Sequence, residues 1–284
     1  MTVFVPQPTH FSAIPDFTSN PFVTGFNLTV TGNTTFTIQP GGARALTSDY
    51  VIQYPTVTPN LPAVITVNLA NLGVNGVFPY LIPSAGFTGP IVLPVYIIAD
   101  SAGTTNGSLN AQANQPGIIV ATGNNFLPAG YDAFRRIGWI LVNNTNSVIT
   151  PWTQTGNGNE RQYLLPNALT VLTSGNATVF TPIDLSLGAN GIVPPGFSQV
   201  YLSLNLTTAQ INASCFVQPF GASFSAPSIG LTSPVAGMLS VDVTASASPN
   251  ALGHAAIQYA VGASNSSLTI QLDGFVDSLE AALV

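Results

Sequence analysis

The stretch SQVYLSLNL, residues 198–206, decides the fold class. Val200, Leu202, Leu204 and Leu206 take every second position, with Tyr201, Ser203 and Asn205 between them. Successive side chains of a strand point to opposite faces, so this spacing predicts a strand with one buried apolar face and one polar face. MLSVDVTA (238–245) and SLTIQLDG (267–274) repeat the pattern, which predicts an antiparallel sandwich in the C-terminal part. Outside these stretches, β-branched and aromatic runs such as FNLTV (26–30), AVITVNL (63–69), FRRIGWILV (134–142), RQYLL (161–165) and HAAIQYAV (254–261) alternate with clusters of Gly, Pro, Asn and Ser. About fifteen strands follow, at sandwich spacing.

The fold class is therefore all-β, an antiparallel β-sandwich of jelly-roll-like architecture in two packed regions. IVLPVYIIA (91–99) is apolar on both faces, and its Pro94 predicts an edge or a bulge because proline cannot donate to the ladder. The one helical candidate is DSLEAALV (277–284), where Val276, Leu279 and Leu283 have helical spacing. Residues 1–22 interleave Pro6, Pro8, Pro15 and Pro21 with Phe4, Phe11, Phe17 and Phe22. Such a segment is extended yet too apolar for a solvated linker, and it reads as an arm that packs on its own surface or a neighbour's. Pro166, in LLPNALT, marks the expected boundary between an attachment region at 23–165 and a second sandwich at 166–284, with one continuous two-sheet domain as the alternative.

Charge is scarce. The chain has four arginines, no lysine and ten carboxylates, and 5% of its residues are charged, against roughly 25% in an average soluble domain. A surface this neutral is expected to be covered by copies of itself or by other subunits. Four arginines supply too few phosphate contacts for nucleic-acid binding. The N-terminus lacks a basic leader and no apolar run reaches membrane-spanning length, so a soluble product of the host cytoplasm is expected, with no membrane partner. On that reading the Asn-X-Ser/Thr triplets are incidental. Cys215 has no partner for an intramolecular disulfide and reads as a small buried hydrophobe.

The residue types of catalysis are almost missing. With His10 in the arm and His254 in a strand, no triad is marked out, and no His/Cys/carboxylate group has metal-ligand spacing. GNGNE (156–160) lacks the lysine of a phosphate-binding loop. No pair of acids stands out for glycoside cleavage. The expectation is a protein without enzymatic activity, cofactor or metal. Trp139 and Trp152 flank a predicted hairpin turn, NNTNS, and read as core or subunit-contact anchors, with sugar stacking as the alternative.

GYDAFRRIGWILVNN (130–144) holds half of all the cations. Neighbouring strand residues face opposite ways, so Arg135 and Arg136 cannot both sit on one solvated face, and at least one must enter the core or an interface. Buried guanidinium needs carboxylate or carbonyl partners; Asp132 is nearest in sequence and Asp100 is a second candidate. An internal pair and an intersubunit pair both satisfy that requirement.

LPAGYDAFRRIGWILVNNTNSVITPWTQ (127–154) resembles a segment of a family of tailed-bacteriophage virion proteins, through Pro128, Gly130, Tyr131, Asp132, Phe134, Arg135, Arg136, Ile137, Gly138, Ile149, Pro151, Trp152 and Gln154. PVYIIADSAG (94–103), the Pro40, Gly41, Ala43, Arg44 pattern within 25–54, and the closing SLTIQLDGFVDSL (267–279) are similar to other parts of that family. WILVNNTNS departs from it, standing where a Thr-Asp-Gly-Ser turn is usual. The resemblance covers roughly residues 25–185 and, more loosely, the C-terminal third. It implies a mostly β, non-enzymatic virion protein of the tail or its fibres, forming a homo-oligomer such as a trimer with other tail, neck or capsid proteins as partners. A capsid decoration or head-fibre protein, and a receptor-binding module for host surface glycan, are the alternatives. Asp132, Phe134, Arg135, Arg136, Trp139 and Trp152 are the expected structural or interface residues, and Phe4, Phe11, Phe17 and Phe22 the assembly arm.

Overall fold

A computed structural model describes residues 22–45, 51–54, 64–69, 77–79, 91–102, 117–120, 127, 130–142, 149–156, 159–186, 192–194, 198–223, 229–252 and 254–279. Phe4, Phe11 and Phe17 lie outside these residues. Phe22 is half-buried, and its carbonyl accepts the backbone N–H of Arg44 at 3.0 Å.

The described chain is all β and, with one exception, antiparallel. Near its start, β1 (Val23–Gly25), β4 (Gly41–Arg44) and β5 (Val51–Tyr54) form one small sheet, and β2 (Leu28–Val30), β3 (Thr35–Ile38) and β6 (Ile65–Asn68) form another. A third is ordered β10-β8-β9-β7, from β7 (Val77–Pro79), β8 (Ile91–Ala99), β9 (Gly117–Val120) and β10 (Ala133–Val142). Its β7–β9 pair is the parallel one.

The C-terminal half is a single curled sheet. Its first wall is β11 (Thr153–Thr155), β12 (Glu160–Gly175), β19 (Ser266–Ser278), β14 (Ser198–Thr208) and β17 (Gly237–Pro249). The second wall is β18 (Ala255–Val261), flanked by β13 (Thr181–Asp184) and β15 (Ala213–Pro219), with β16 (Ile229–Ser233) on the outer edge of β15. The long strand β17 joins them: it pairs with β14 from Gly237 to Ala247 and with β18 through Ser248 and Pro249. The alternation in 198–206 is realised as expected, with Val200, Leu202, Leu204 and Leu206 buried and Tyr201, Ser203 and Asn205 half-exposed. These leucines share one apolar cluster with Leu268, Ile270, Cys215, Val217 and Ile257, and the same cluster continues to Val23, Phe36 and Trp139 in the N-terminal sheets. The architecture is thus a β-sandwich with further sheets packed against it.

Two details depart from the expectations. Asp277 and Ser278 remain in β19, paired with Arg161 and Glu160, and Leu279 is a turn, so no helix starts at Asp277; residues 280–284 of that candidate lie outside the described residues. β12 runs unbroken through Pro166, so the boundary expected there falls inside a strand. Its pairing with β19 shifts register between Leu164 and Leu169, and the missing proline N–H sits in that irregular stretch. Pro94 is accommodated likewise. It lies beyond the last β9 partner of β8, opposite Trp139 and next to a bulge on β10 between Arg136 and Gly138.

Candidate functional site: a buried arginine cluster

Three of the four arginines, Arg135, Arg136 and Arg161, are buried. Arg135 and Arg136 leave β10 beside its bulge; Arg136 reaches the last residues of β19 and Arg135 the turn residue just after it. Arg136 donates from one terminal nitrogen to Asp277 Oδ2 at 2.5 Å and from the other to the Ser278 carbonyl at 3.1 Å. Arg135 donates to the Leu279 carbonyl at 2.6 Å. The indole Nε1 of Trp139 donates to the same Asp277 oxygen at 2.8 Å, and the Arg136 guanidinium lies over the Trp139 ring, 4.7 Å from its centroid. One carboxylate therefore receives a cation and an indole while the cation rests on that indole, which satisfies the buried charge from several sides.

Arg161, in β12, performs the parallel task for the N-terminal sheets. It donates to the carbonyls of Gly25 and Gly156 and to the side-chain oxygen of Asn27. Burial holds its guanidinium below the usual arginine range, opposed by the nearby Tyr163 and Asp277. The Gly25–Phe26 corner it grips is left-handed at both residues, φ 64° and 53°, an unusual conformation for a buried phenylalanine. Side chains of the neighbouring strands complete the attachment: Val23 N donates to Asn159 Oδ1 at 2.8 Å and Leu28 N to Gln154 Oε1 at 2.5 Å.

Tyr163 ties these parts together. Its hydroxyl accepts from Trp139 N at 3.1 Å and Gln154 Nε2 at 3.3 Å, and its ring stacks on Phe275 with centroids 4.8 Å apart. Burial raises its phenol pKa far above the ordinary value, and the Asp277 charge adds to that effect. Gly138 is what lets Tyr163 approach. A Cβ there would come within 2.9 Å of the tyrosine oxygen and 2.5 Å of Leu28 Cδ1.

Of the residues singled out in the sequence, Arg135, Arg136 and Trp139 meet in this cluster. Of the two candidate carboxylates, Asp100 accepts from Ala102 N and Asp132 lies beside the same turn; the carboxylate that Arg136 pairs with is Asp277, 141 residues along the chain. Asp132 is exposed and accepts from the backbone N–H of Ser101 at 2.7 Å and from the Ser101 hydroxyl, contacts that hold its carboxyl below the usual range. Phe134 packs edge-on to Tyr96 in a small separate cluster with Ile98 and Tyr131. Trp139 and Trp152 are both buried and present no ring for sugar stacking. Arg161 and Tyr163 were not singled out, and Asp277 stood only as the first residue of the helical candidate. The signal for Asp277 is FVDSL, the place where an acid interrupts an apolar strand end.

His254 is likewise structural in its contacts. Its Nδ1 lies 3.0 Å from Asp184 Oδ2, which also accepts from Asn250 Nδ2 at 2.9 Å. The nearby Ser186 hydroxyl is committed, donating to the Val193 carbonyl at 2.7 Å and accepting from Ala255 N at 2.9 Å. Among the described residues no three His, Cys, Asp or Glu side chains gather as metal ligands would.

No family model and no curated protein sequence matches the chain. Among solved structures, 43% of the chain matches 86% of a carbohydrate-binding module from Cellvibrio mixtus lichenase 5A, solved with cellotriose, at 15% identity and a TM-score of 0.22. A Bacillus thuringiensis Cry1Da tryptic core variant matches over 90% of this chain at 10% identity and a TM-score of 0.24. The chain spans about half of that protein, 51% of its length.

Proposed function

We propose that this chain is a non-enzymatic structural protein of a tailed-phage virion, a homo-oligomeric component of the tail or its fibres. The observation that carries the reading is where the cations go. Three of four arginines are buried inside the subunit, joining β10, the N-terminal sheets and the end of β19. Ionic chemistry here serves cohesion, and the described surface is left to hydroxyls, amides, scattered carboxylates and exposed apolar side chains such as Val179, Ile211, Val235, Met238 and Leu252. Such a surface associates through close neutral contacts, with no charge code. The Phe-Arg-Arg-Ile-Gly block by which the sequence resembles virion proteins is the same block that builds the cluster.

Purified virions test this directly. Quantitative mass spectrometry of the particle is expected to find the chain in a few to a few dozen copies, and cryo-electron microscopy to place it on the tail. Hundreds of copies on the head shell would replace the tail assignment with a decoration role, and absence from the particle would remove the virion reading altogether.

A further inference from the structure

The outer face of the sheet built by β19, β14 and β17 carries a shallow concavity of about 340 Å³. The half-buried Tyr201 forms part of its wall, and Ser203, Asp242, Thr244 and Asp273 supply its polar lining. Strand pairing explains the meeting. Ser203 stands opposite Asp242, while the pairing of β14 with β19 steps from Leu272 to Gly274 and leaves Asp273 as the extra residue of a bulge. A bulge re-aims the side chain it carries. Leu272 and Phe275 enter the core, and Asp273 turns outward beside Ser203.

Ser203 Oγ lies 2.7 Å from Asp242 Oδ1 and 2.7 Å from Asp273 Oδ2. A hydroxyl has one hydrogen, so it serves one carboxylate and turns a lone pair toward the other. The remaining carboxylate lone pairs look for donors, and no cation lines the concavity among the described residues. A hard cation is not favoured there: Ser203 Oγ, 2.7 Å from an oxygen of each carboxylate, fills the position between them that the ion would take, and among the described residues no third acidic, histidine or cysteine ligand gathers with the two aspartates. Hydrolysis is disfavoured as well, because Ser203 occupies the place between the carboxylates where a scissile oxygen would sit.

We propose that this concavity binds a neutral saccharide, its C–H face against the Tyr201 ring and its hydroxyls donating to Asp242 and Asp273. The carboxylates would repel acidic sugars, so neutral glycans are preferred over sialylated ones. The site is independent of where the protein sits in a particle, and binding is measured on the purified chain, so its failure leaves the virion reading standing.

The test is an array carrying neutral glucose-, galactose- and N-acetylglucosamine-based oligosaccharides beside sialylated ones, followed by titration of the responding sugar. Binding to a neutral member is expected, unchanged by EDTA. Asp242 is exposed, so Asp242→Asn keeps the fold and is the decisive variant, expected to weaken binding roughly tenfold. Tyr201→Ala should lose more, and Gln199→Ala, on the same strand beyond the concavity, nothing. Absence of binding to every neutral glycan, undiminished binding by Asp242→Asn, or a preference for the sialylated set would overturn the proposal.

Discussion

Arg136 gives both terminal guanidinium nitrogens to the end of β19, and its buried partner Asp277 also receives the Trp139 indole. Removing either ion strands the other in the core. Arg136→Ala or Asp277→Ala is expected to cost roughly 3–5 kcal/mol in urea unfolding, whereas Thr207→Ala on the exposed end of β14 should stay within about 0.5 kcal/mol. Near-equal unfolding midpoints for all three would contradict the clamp. Cys215 supplies a pH-dependent term of known sign. Burial pushes its thiol from 9.0 up to about 11, so the folded state holds the proton more tightly than the unfolded chain. That contribution is intact below pH 9 and fades as pH rises toward 11, by roughly 2 kcal/mol. Cys215→Ala should flatten this part of the stability–pH curve, leaving the later alkaline loss from Tyr96, Tyr131 and Tyr163, all raised by burial. An unchanged slope between pH 9 and 11 would show that the thiol is not the cause. At this level the sequence made the arginines conspicuous but hid their acceptor, because a partner 141 residues away leaves no local trace.

The strands β14, β17 and the first half of β19 were readable because one face is covered and the other wet, so the two-residue period survives in the residues. Beyond Gly274 that period is lost. Gly274, Phe275, Val276 and Asp277 are all buried, since the arginine cluster covers the face that would otherwise meet solvent, and the apolar run imitates a helical stripe. Pro166 misled in a related way. It looks like a break, yet a wide irregularity in the β12–β19 ladder absorbs it. The Asp242–Ser203–Asp273 grouping was equally illegible, since it depends on a bulge that only the pairing reveals. The closeness of β12 and β19 rests on Gly274, whose Cβ, if present, would lie 2.2 Å from the Tyr163 carbonyl oxygen. Backbone cannot swing aside as a side chain can. Gly274→Ala should therefore part the two strands beneath Tyr163 and cost about 1–3 kcal/mol, with loss of amide-exchange protection in β12 near Tyr163. Protection equal to that of the unsubstituted protein would show that the ladder tolerates the methyl group.

Each subunit owns four cations and buries three of them, leaving Arg44 alone among the arginines outside the core. An interface between copies can then contain few salt bridges, whatever its area. Meanwhile every copy carries a formal charge of −6, so in the homo-oligomer proposed above copies would repel one another at long range and bind through neutral contacts at short range. Salt screens the first and barely touches the second. The homo-oligomer is therefore expected to hold its mass from about 0.05 to 1 M sodium chloride, with the Debye length falling from over 10 Å to about 3 Å, and to dissociate, if at all, at the low-salt end. Light scattering on the purified protein, diluted at both salt concentrations, reads this out. An oligomer that falls apart as salt is raised would place ion pairs at the interface and refute the neutral-contact mechanism; a monomer at all concentrations would refute the assembly itself.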